Sequence, residues 1–489
     1  MADVEINVVN ESKVRVTADP GILAELRDQF TYMSPNARYD RRFKNKVWDG
    51  KIRIFNPMDR LLPYGLTWEV AKFCKVRDYT FSHDLPVPSR LYEYEDVDAY
   101  LRTLNLHAGG NPIEARDYQV ESIKTALNRR RLLIRSPTAS GKSLVIYGLI
   151  RHFLEEHDQK IILIVPSTHL VEQMYSDFAD YASHDDSFDH EEMCQRLYGA
   201  YPSKIVTKRI LISTWQSLQE QETTWFHQFG MLLVDEAHGA QAKVVKRIAE
   251  ASINSFYRIG LTGTLKKDPL FTSTLVGLFG PIRNVITTRE LMDRGDVATL
   301  HIKALELQYT DRLPKWKKME KYHKELEWLF THQKRNETIV KLMAATKGNT
   351  IVFFNRVSHG QLLYDMAKTA IDKPVFLIYG ATEVEARENI RSILETTKDA
   401  VLIASYGTFS TGANVKNLHN GIFAAPSKSI IRVLQSIGRG LRTHHSKEKF
   451  VLYDIGDNLA TNVTINHFTE RLGIYKDEKF GVKHVAIKM

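Results

Sequence analysis

A chain of 489 residues with 43% hydrophobic and 26% charged side chains has the balance of ordinary globular protein, and its length suggests about three domains. Lys and Arg outnumber Asp and Glu by 67 to 58, a formal charge of +9, which is compatible with a polyanionic partner. Two cysteines, Cys74 and Cys194, exclude a disulfide framework or zinc cluster and fit a reducing compartment. The N-terminus has neither the basic nor the apolar region of a secretory signal. The longest aliphatic runs, such as residues 161–165, are far short of a membrane span. The expectation is a cytoplasmic protein without a membrane partner.

Residues 1–108 read as a small α/β accessory module. β-Branched alternation over residues 5–9 and 13–17 predicts two strands, and Leu23, Leu26 and Phe30 recur at helical spacing. Asp49-Gly50 between β-prone residues predicts a tight hairpin over residues 48–55; helices are expected over 68–75 and 97–104, and Gly109-Gly110-Asn111-Pro112 closes the module. Residues 1–105 carry 16 basic and 16 acidic side chains, so the module is neutral overall, but its charge is uneven. Arg38, Arg41, Arg42, Lys44, Lys46, Lys51, Arg53 and Arg60 face only Asp40, Asp49 and Asp59, with Tyr39, Phe43, Trp48 and Phe55 interleaved. Basic residues among aromatics suit a nucleic-acid surface, with charges on phosphates and rings near bases or sugars. Arg41, Arg42, Lys44, Lys46, Trp48 and Lys51 are the candidates, against the alternative of a solvated hairpin whose rings belong to the module's own core. Asp49-Gly50-Lys51 also matches the tail of a metal-nuclease site, which needs further acidic partners.

Residues 109–286 alternate apolar strands with helical runs, the mark of a parallel α/β sheet whose ligands gather at the strand C-terminal ends. Arg116-Asp-Tyr-Gln119 opens a helix, where Arg116 and Gln119 are suited to reading an adenine edge. After the apolar residues 132–134 comes Ser136-Pro-Thr-Ala-Ser-Gly-Lys-Ser143, then a helical run. Strand, tight loop, Gly-Lys-Ser and helix make a cradle for a nucleotide triphosphate. The loop Pro137 to Gly141, with backbone N–H groups from Thr138 onward, and the helix N-terminus surround the phosphates, Lys142 reaches the β/γ oxygens and the Ser143 hydroxyl meets Mg²⁺. Ser136 stands where the generic pattern begins with Gly. Thr168, Gln173, Thr214 and Gln216 follow two further apolar strands and fall on the same rim. Met231-Leu-Leu-Val-Asp235-Glu236-Ala-His238 then delivers two acids to a buried strand's end, Asp235 to complete the Mg²⁺ shell and Glu236 to polarise the attacking water. A further strand ends in Thr262-Gly-Thr264.

Pro137-Thr-Ala-Ser-Gly-Lys-Ser143, Asp235-Glu-Ala-His238 and Thr262-Gly-Thr264, in this order, resemble the superfamily 2 helicases and translocases. The resemblance implies two RecA-like domains with ATP between them and adds His238 to the nucleotide-site residues. It also shows that a leading Gly is dispensable, and moves attention to Ala139, where relatives usually have Gly. A methyl there restricts positive φ.

Residues 287–489, the second RecA-like domain with a C-terminal extension, carry buried-strand runs at 350–354, 375–379 and 400–404. Ser405-Tyr-Gly-Thr408-Phe-Ser-Thr-Gly412-Ala-Asn414 resembles the family's motif V, with Asn414 where many relatives have Asp; it implies a nucleotide contact at Gly412 and a nucleic-acid contact at Thr408. Gln435-Ser-Ile-Gly-Arg439-Gly-Leu-Arg442 matches motif VI. Read as a helix, it places Gln435, Arg439 and Arg442 on one face. An arginine aimed at the γ-phosphate stabilises transition-state charge, worth on the order of 10³-fold in rate. A basic stretch, Lys315-Trp-Lys-Lys318 with Lys321, Lys324, Lys334 and Arg335, is either a nucleic-acid track or a solvated face. His444 and His445 read as surface residues.

The N-terminal module narrows the resemblance. Trp48-Asp-Gly-Lys51 and Leu61-Leu-Pro-Tyr-Gly65 ahead of a compact motor resemble the bacteriophage UvsW-type recombination helicases over almost the whole chain. That resemblance implies an ATP- and Mg²⁺-dependent helicase or translocase, expected as a monomer, remodelling branched DNA: Holliday junctions, forks, D-loops and R-loops, hence RNA–DNA hybrids. Motor motifs grip phosphates and do not report the sugar, so an RNA helicase is the alternative. A second is an ATP-gated annealing protein that does not unwind.

Overall fold

The computed structural model describes residues 2–241, 243–265, 268–310, 321–411, 415–427, 429–442, 444, 446–459 and 462–489. It divides into two compact units, residues 1–136 with 141–285, and residues 137–140 with 286–489.

The first unit contains the small α/β module and a seven-stranded sheet. In the module, Val4–Asn10 pairs antiparallel with Lys13–Ala18, which pairs with Leu61–Pro63, while Phe81–His83 adds in parallel on the other edge. The alternation follows the pleat: Val4, Ile6, Val14 and Val16 are fully buried. They pack with Leu23 and Leu26 of the helix Pro20–Gln29 and with Val70 and Phe73 of Thr67–Val76.

The expected tight hairpin is not formed. Lys51–Arg53 pairs instead with Thr31–Met33, and the chain between them contains a short helix, Arg41–Lys44. Asp49-Gly50 still turns, since the Asp49 carboxylate accepts from the Lys51 amide at 3.0 Å and Gly50 has φ +75°. Its strand partner was set by earlier residues, and Phe55 is drawn into the module's core. The module is seated on the sheet domain. Tyr32 Oη lies 2.6 Å from Ser273 Oγ, and Gly65 passes so close to the helix Pro269–Phe279 that a Cβ there would fall 1.9 Å from the Val276 carbonyl oxygen.

The sheet of the first unit is wholly parallel, in the order Cys194–Leu197, Ile210–Thr214, Lys160–Val165, Phe229–Val234, Tyr257–Thr262, Arg131–Arg135, Ile282–Asn284. Helices cover both faces, so the central strands are near-continuous apolar runs with no exposed side. That arrangement brings Ser136, Asp235 and the end of Tyr257–Thr262 to one rim from adjacent strands.

The second unit repeats the theme with seven parallel strands: Val375–Ile378, Val401–Ser405, Thr350–Phe354, Asn420–Phe423, Lys449–Asn458, Thr299–Gln308, Val482–Lys488. The last strand and the helix Thr464–Asp477 give the residues after 458 a structural role. Arg471 on that helix is buried and pairs with Asp454 at 2.7 Å, and Tyr475 donates to the same carboxylate at 2.6 Å. Arg335 is likewise no part of a basic track. It is fully buried, donates to Asp457 at 2.8 and 3.1 Å and to the Ala424 carbonyl at 2.7 Å. Lys324 and Lys334 are exposed, while Lys315, Trp316, Lys317 and Lys318 lie outside the described residues. Among the described residues, no helix is long and apolar enough to cross a membrane.

Candidate nucleotide-binding and catalytic site

The strand Arg131–Arg135 runs into Ser136, whose amide donates to the Thr262 carbonyl at 2.9 Å. This bond fixes the loop's first residue to the neighbouring strand end and needs no side chain, which explains why a serine serves there. Within the loop, Ser140 Oγ donates to the Pro137 carbonyl at 2.7 Å. Ala139 has φ +69° and Gly141 φ +75°. Two left-handed residues almost in succession curl the chain into a ring, with Thr138 partly exposed. At Gly141 the conformation demands glycine twice over, because a Cβ would sit 2.2 Å from Gln119 Nε2. At Ala139 the chain adopts the same hand with a methyl in place.

The helix Lys142–Glu156 begins immediately after the loop. Lys142 Nζ donates to the Ser136 carbonyl at 3.3 Å, spanning the ring in which phosphates are expected. Ser143 Oγ is 2.8 Å from Tyr181 Oη, at the end of the helix Thr168–Tyr181. Arg116 and Gln119 cap the helix Asp117–Arg129. Gln119 Oε1 accepts from the Arg116 amide at 2.8 Å and its Nε2 donates to the Gly141 carbonyl at 3.4 Å, while Arg116 Nη1 donates to Tyr118 Oη at 2.8 Å. Gln119 therefore braces the phosphate loop with the amide group expected to read adenine.

Asp235 stands at the end of Phe229–Val234, its amide bonded to the Ile164 carbonyl at 2.9 Å. The residue is 7% exposed, and its Oδ1 is buried with no hydrogen-bond partner among the described residues. Burial pushes its pKa up to about 6, with the neighbouring Glu236 charge adding to the rise and Lys142 opposing it. A buried carboxylate oxygen without a donor, close to a lysine, is the environment that a divalent cation relieves. Glu236 has φ +50°, a conformation that costs a non-glycine residue of order 1–3 kcal/mol. His238 Nδ1 lies 3.0 Å from Glu236 Oε2 and 3.1 Å from Thr262 Oγ1.

On the same rim, Thr168 opens its helix exposed, Gln173 follows half-buried, and Gln216 is exposed. Thr214 is buried, pairs with Val165 across adjacent strands and bonds Ser217 Oγ at 2.9 Å. In the module, Arg41, Lys44, Lys46 and Lys51 are exposed. Arg42 is paired with Asp40 at 2.9 Å and lies 5.2 Å from the Trp48 ring centre, and Trp48 Nε1 donates to the Lys51 carbonyl at 3.0 Å.

In the second unit, Thr408 follows Val401–Ser405 and is buried against Ser405 Oγ at 2.7 Å. Gly412, Asn414 and His445 lie outside the described residues. The helix Ile430–Gly440 carries the backbone of Gln435, whose side chain also lies outside them, and Arg439 in its last turn. Arg442 lies two residues beyond the helix, its amide donating to the Arg439 carbonyl at 3.4 Å, so the helical face of the motif is shorter than the spacing suggested. Phe450 crowds this turn: a Cβ on Gly440 would meet its ring at 2.4 Å. Lys447 closes the turn by donating to the Gly440 carbonyl at 3.0 Å and the Lys416 carbonyl at 2.9 Å, and burial lowers its pKa to about 8. His444 is half-buried, with Nδ1 2.7 Å from Ser446 Oγ. In the sequence Lys447 reads as one of a basic cluster with His444, His445 and Lys449, and Tyr181 as a helix end; the partners of both are brought in by tertiary packing.

Comparison with known proteins assigns the pieces. Residues 3–84 match the family profile described as "DNA helicase UvsW, N-terminal", residues 112–267 that of "Type III restriction enzyme, res subunit", and residues 334–444 the "Helicase conserved C-terminal domain". The chain is 34% identical to the ATP-dependent DNA helicase uvsW of Enterobacteria phage T4, over 98% of each chain. It is 24% identical to a DNA 3′-5′ translocase of Sulfurisphaera tokodaii, over 74% of this chain and 89% of that one. The crystal structure of T4 UvsW superposes with a TM-score of 0.54 at 33% identity, covering 99% of both chains. With two parallel-sheet domains behind a small α/β module, and with likeness along nearly its full length, the chain belongs to the UvsW family of ATP-dependent superfamily 2 helicases.

Proposed function

We propose that this protein is a DNA helicase and translocase that hydrolyses ATP to remodel branched DNA, including Holliday junctions, forks, D-loops and R-loops, in the cytoplasm and as a monomer. The observation that supports this reading best is the gathering, at one sheet rim, of Lys142 across its phosphate loop, the buried Asp235 Oδ1 without a hydrogen-bond partner among the described residues, and Glu236 beside His238. It is the donor and acceptor set that triphosphate hydrolysis requires.

In this mechanism the loop amides and Lys142 hold the β- and γ-phosphates. Ser143 and Asp235 are the residues to hold Mg²⁺, which when bound neutralises charge on the phosphate oxygens. Glu236 orients the attacking water, and Arg439 and Arg442 stabilise the charge that builds on the γ-phosphate. Residues 1–108 form the DNA-gripping module, 109–286 the nucleotide-binding domain and 287–489 the second motor domain. Arg41, Lys44, Lys46 and Lys51 serve phosphate contacts that give the preference for junctions, while Thr168, Gln173 and Gln216 line the strand track.

The test is ATP turnover with and without nucleic acid. Lys142→Ala and Glu236→Gln are expected to abolish stimulated turnover, and single-stranded DNA to stimulate the parent more strongly than RNA of the same sequence. Near-normal turnover in Glu236→Gln removes that residue from its role, and stronger stimulation by RNA overturns the choice of substrate.

A further inference from the structure

At the opposite end of the first unit's sheet from the phosphate loop, the small module and the sheet domain enclose a cavity of about 170 Å³. Its walls include Tyr64, Trp68 and Phe256 together with three consecutive arginines, Arg129, Arg130 and Arg131. Arg131 is the first residue of the strand whose far end leads into Ser136, so the cavity is separate from the nucleotide site.

The charges around it do not balance. Glu11 is the one acid among the described lining residues and is already engaged by Arg131, which also stacks 3.7 Å from the Tyr64 ring centre. Arg130 lies 5.9 and 5.8 Å from the ring centres of Phe256 and Tyr257. Behind them Arg258, fully buried, donates to the carbonyls of Ala249, Ser252 and Ser255. Arg130 Nε and Arg131 Nη1 are buried with no acceptor at bonding geometry among the described residues. Burial holds the Arg131 and Arg258 guanidiniums below their usual range. Arg131 is buried with Glu11 as its one carboxylate, while Arg130 is half-buried and Arg129 exposed; guanidinium N–H groups left buried without acceptors are costly unless an anion joins them. Trp68, at the rim, is 48% exposed and leans edge-on to His83, leaving an aromatic surface beside the arginines.

We propose that this cavity binds the phosphate of a single nucleotide unit, the phosphate meeting Arg129 and Arg130 and the base stacking on Trp68. Guanidiniums suit phosphate oxygens through paired N–H donors, and an indole accepts any base. The unit comes either from a DNA strand or from a free nucleotide.

The experiment uses the full chain carrying Lys142→Ala, which silences the phosphate loop, with thymidine monophosphate titrated by calorimetry and inorganic pyrophosphate as competitor. Saturable binding that pyrophosphate displaces is expected. It should weaken at least tenfold in Arg129→Ala/Arg130→Ala and in Trp68→Ala, and strengthen in Glu11→Gln, which removes the competing carboxylate. An oligothymidylate that displaces the mononucleotide identifies a DNA strand as the source; failure to displace it identifies the free nucleotide. Binding that is unchanged in Trp68→Ala and Glu11→Gln, or absent at millimolar probe, overturns the proposal. These two variants keep the test decisive if the arginine pair proves necessary for folding.

Discussion

His238 Nδ1 lies 3.1 Å from the Thr262 hydroxyl and 3.0 Å from Glu236 Oε2. Thr262 Oγ1 is itself anchored in the turn that follows its strand, 3.0 Å from the Thr264 carbonyl and 3.3 Å from the Thr264 amide that donates to it. His238 thus stands between the end of Tyr257–Thr262 and the carboxylate proposed to orient water.

Thr262→Val preserves shape and removes the hydroxyl. Losing one buried acceptor costs about 1–3 kcal/mol, and it frees His238 to drift from Glu236. Stimulated ATP turnover is expected to fall roughly tenfold with KM for ATP changed less than about twofold, the signature of an interaction that matters after binding. Steady-state kinetics check this; unchanged turnover would dissociate Thr262 from the proposed role of Glu236.

Asp235 makes the fold pH-sensitive. Its pKa is raised to about 6 by burial first and by Glu236 second. A raised folded-state pKa means that the stability associated with the protonated form is fully present below the unfolded value and is lost as pH rises through about 6. Asp235→Asn, which never ionises, should thus be more stable than the parent near pH 8, by about 1–3 kcal/mol, and nearly equal to it near pH 4. Urea unfolding at both pH values, without nucleotide or metal, measures the difference. An asparagine variant no more stable at the higher pH would mean that the carboxylate is not strained by its site.

The methyl of Ala139 sits at φ +69°, a hand that costs an alanine about 1–2 kcal/mol. Glycine relieves this and gives back about 0.5–1 kcal/mol through its freer unfolded chain. Because the folded loop already makes the turn, Ala139→Gly should raise stability by about 0.5 kcal/mol and leave ATP affinity within about twofold. A destabilised variant would show that the methyl is packed, not merely tolerated.

Arg335 and Asp457 are both completely buried, and Tyr309 adds a 2.7 Å bond to the same carboxylate. Arg335→Ala strands a buried charge and should destabilise the second unit by about 3–5 kcal/mol. Arg335→Met/Asp457→Leu, which removes both charges, should recover most of that loss. Equal instability of the single and double variants in urea would assign the cost to lost packing.

The parallel sheets were legible because buried parallel strands are written as apolar runs, such as residues 161–165 and 231–234, and the acids and loop follow directly from where such runs stop. Asp49-Gly50 misled because a turn signal reports local geometry and says nothing of which strand lies alongside. Arg335 misled because a buried ion pair and a solvated basic face use the same letter, and only Asp457, 122 positions away, distinguishes them. The contacts of Tyr181 and Lys447 were invisible for the same reason: their partners are adjacent in space alone.

The most direct test of the central claim is an unwinding assay on a Holliday junction, a fork, an R-loop and a linear duplex of matched length, with ATP and with a non-hydrolysable analogue. ATP-dependent remodelling of the branched substrates is expected well ahead of the linear duplex, and none with the analogue. Equal activity on the linear duplex, or strand exchange that proceeds with the analogue, would contradict it.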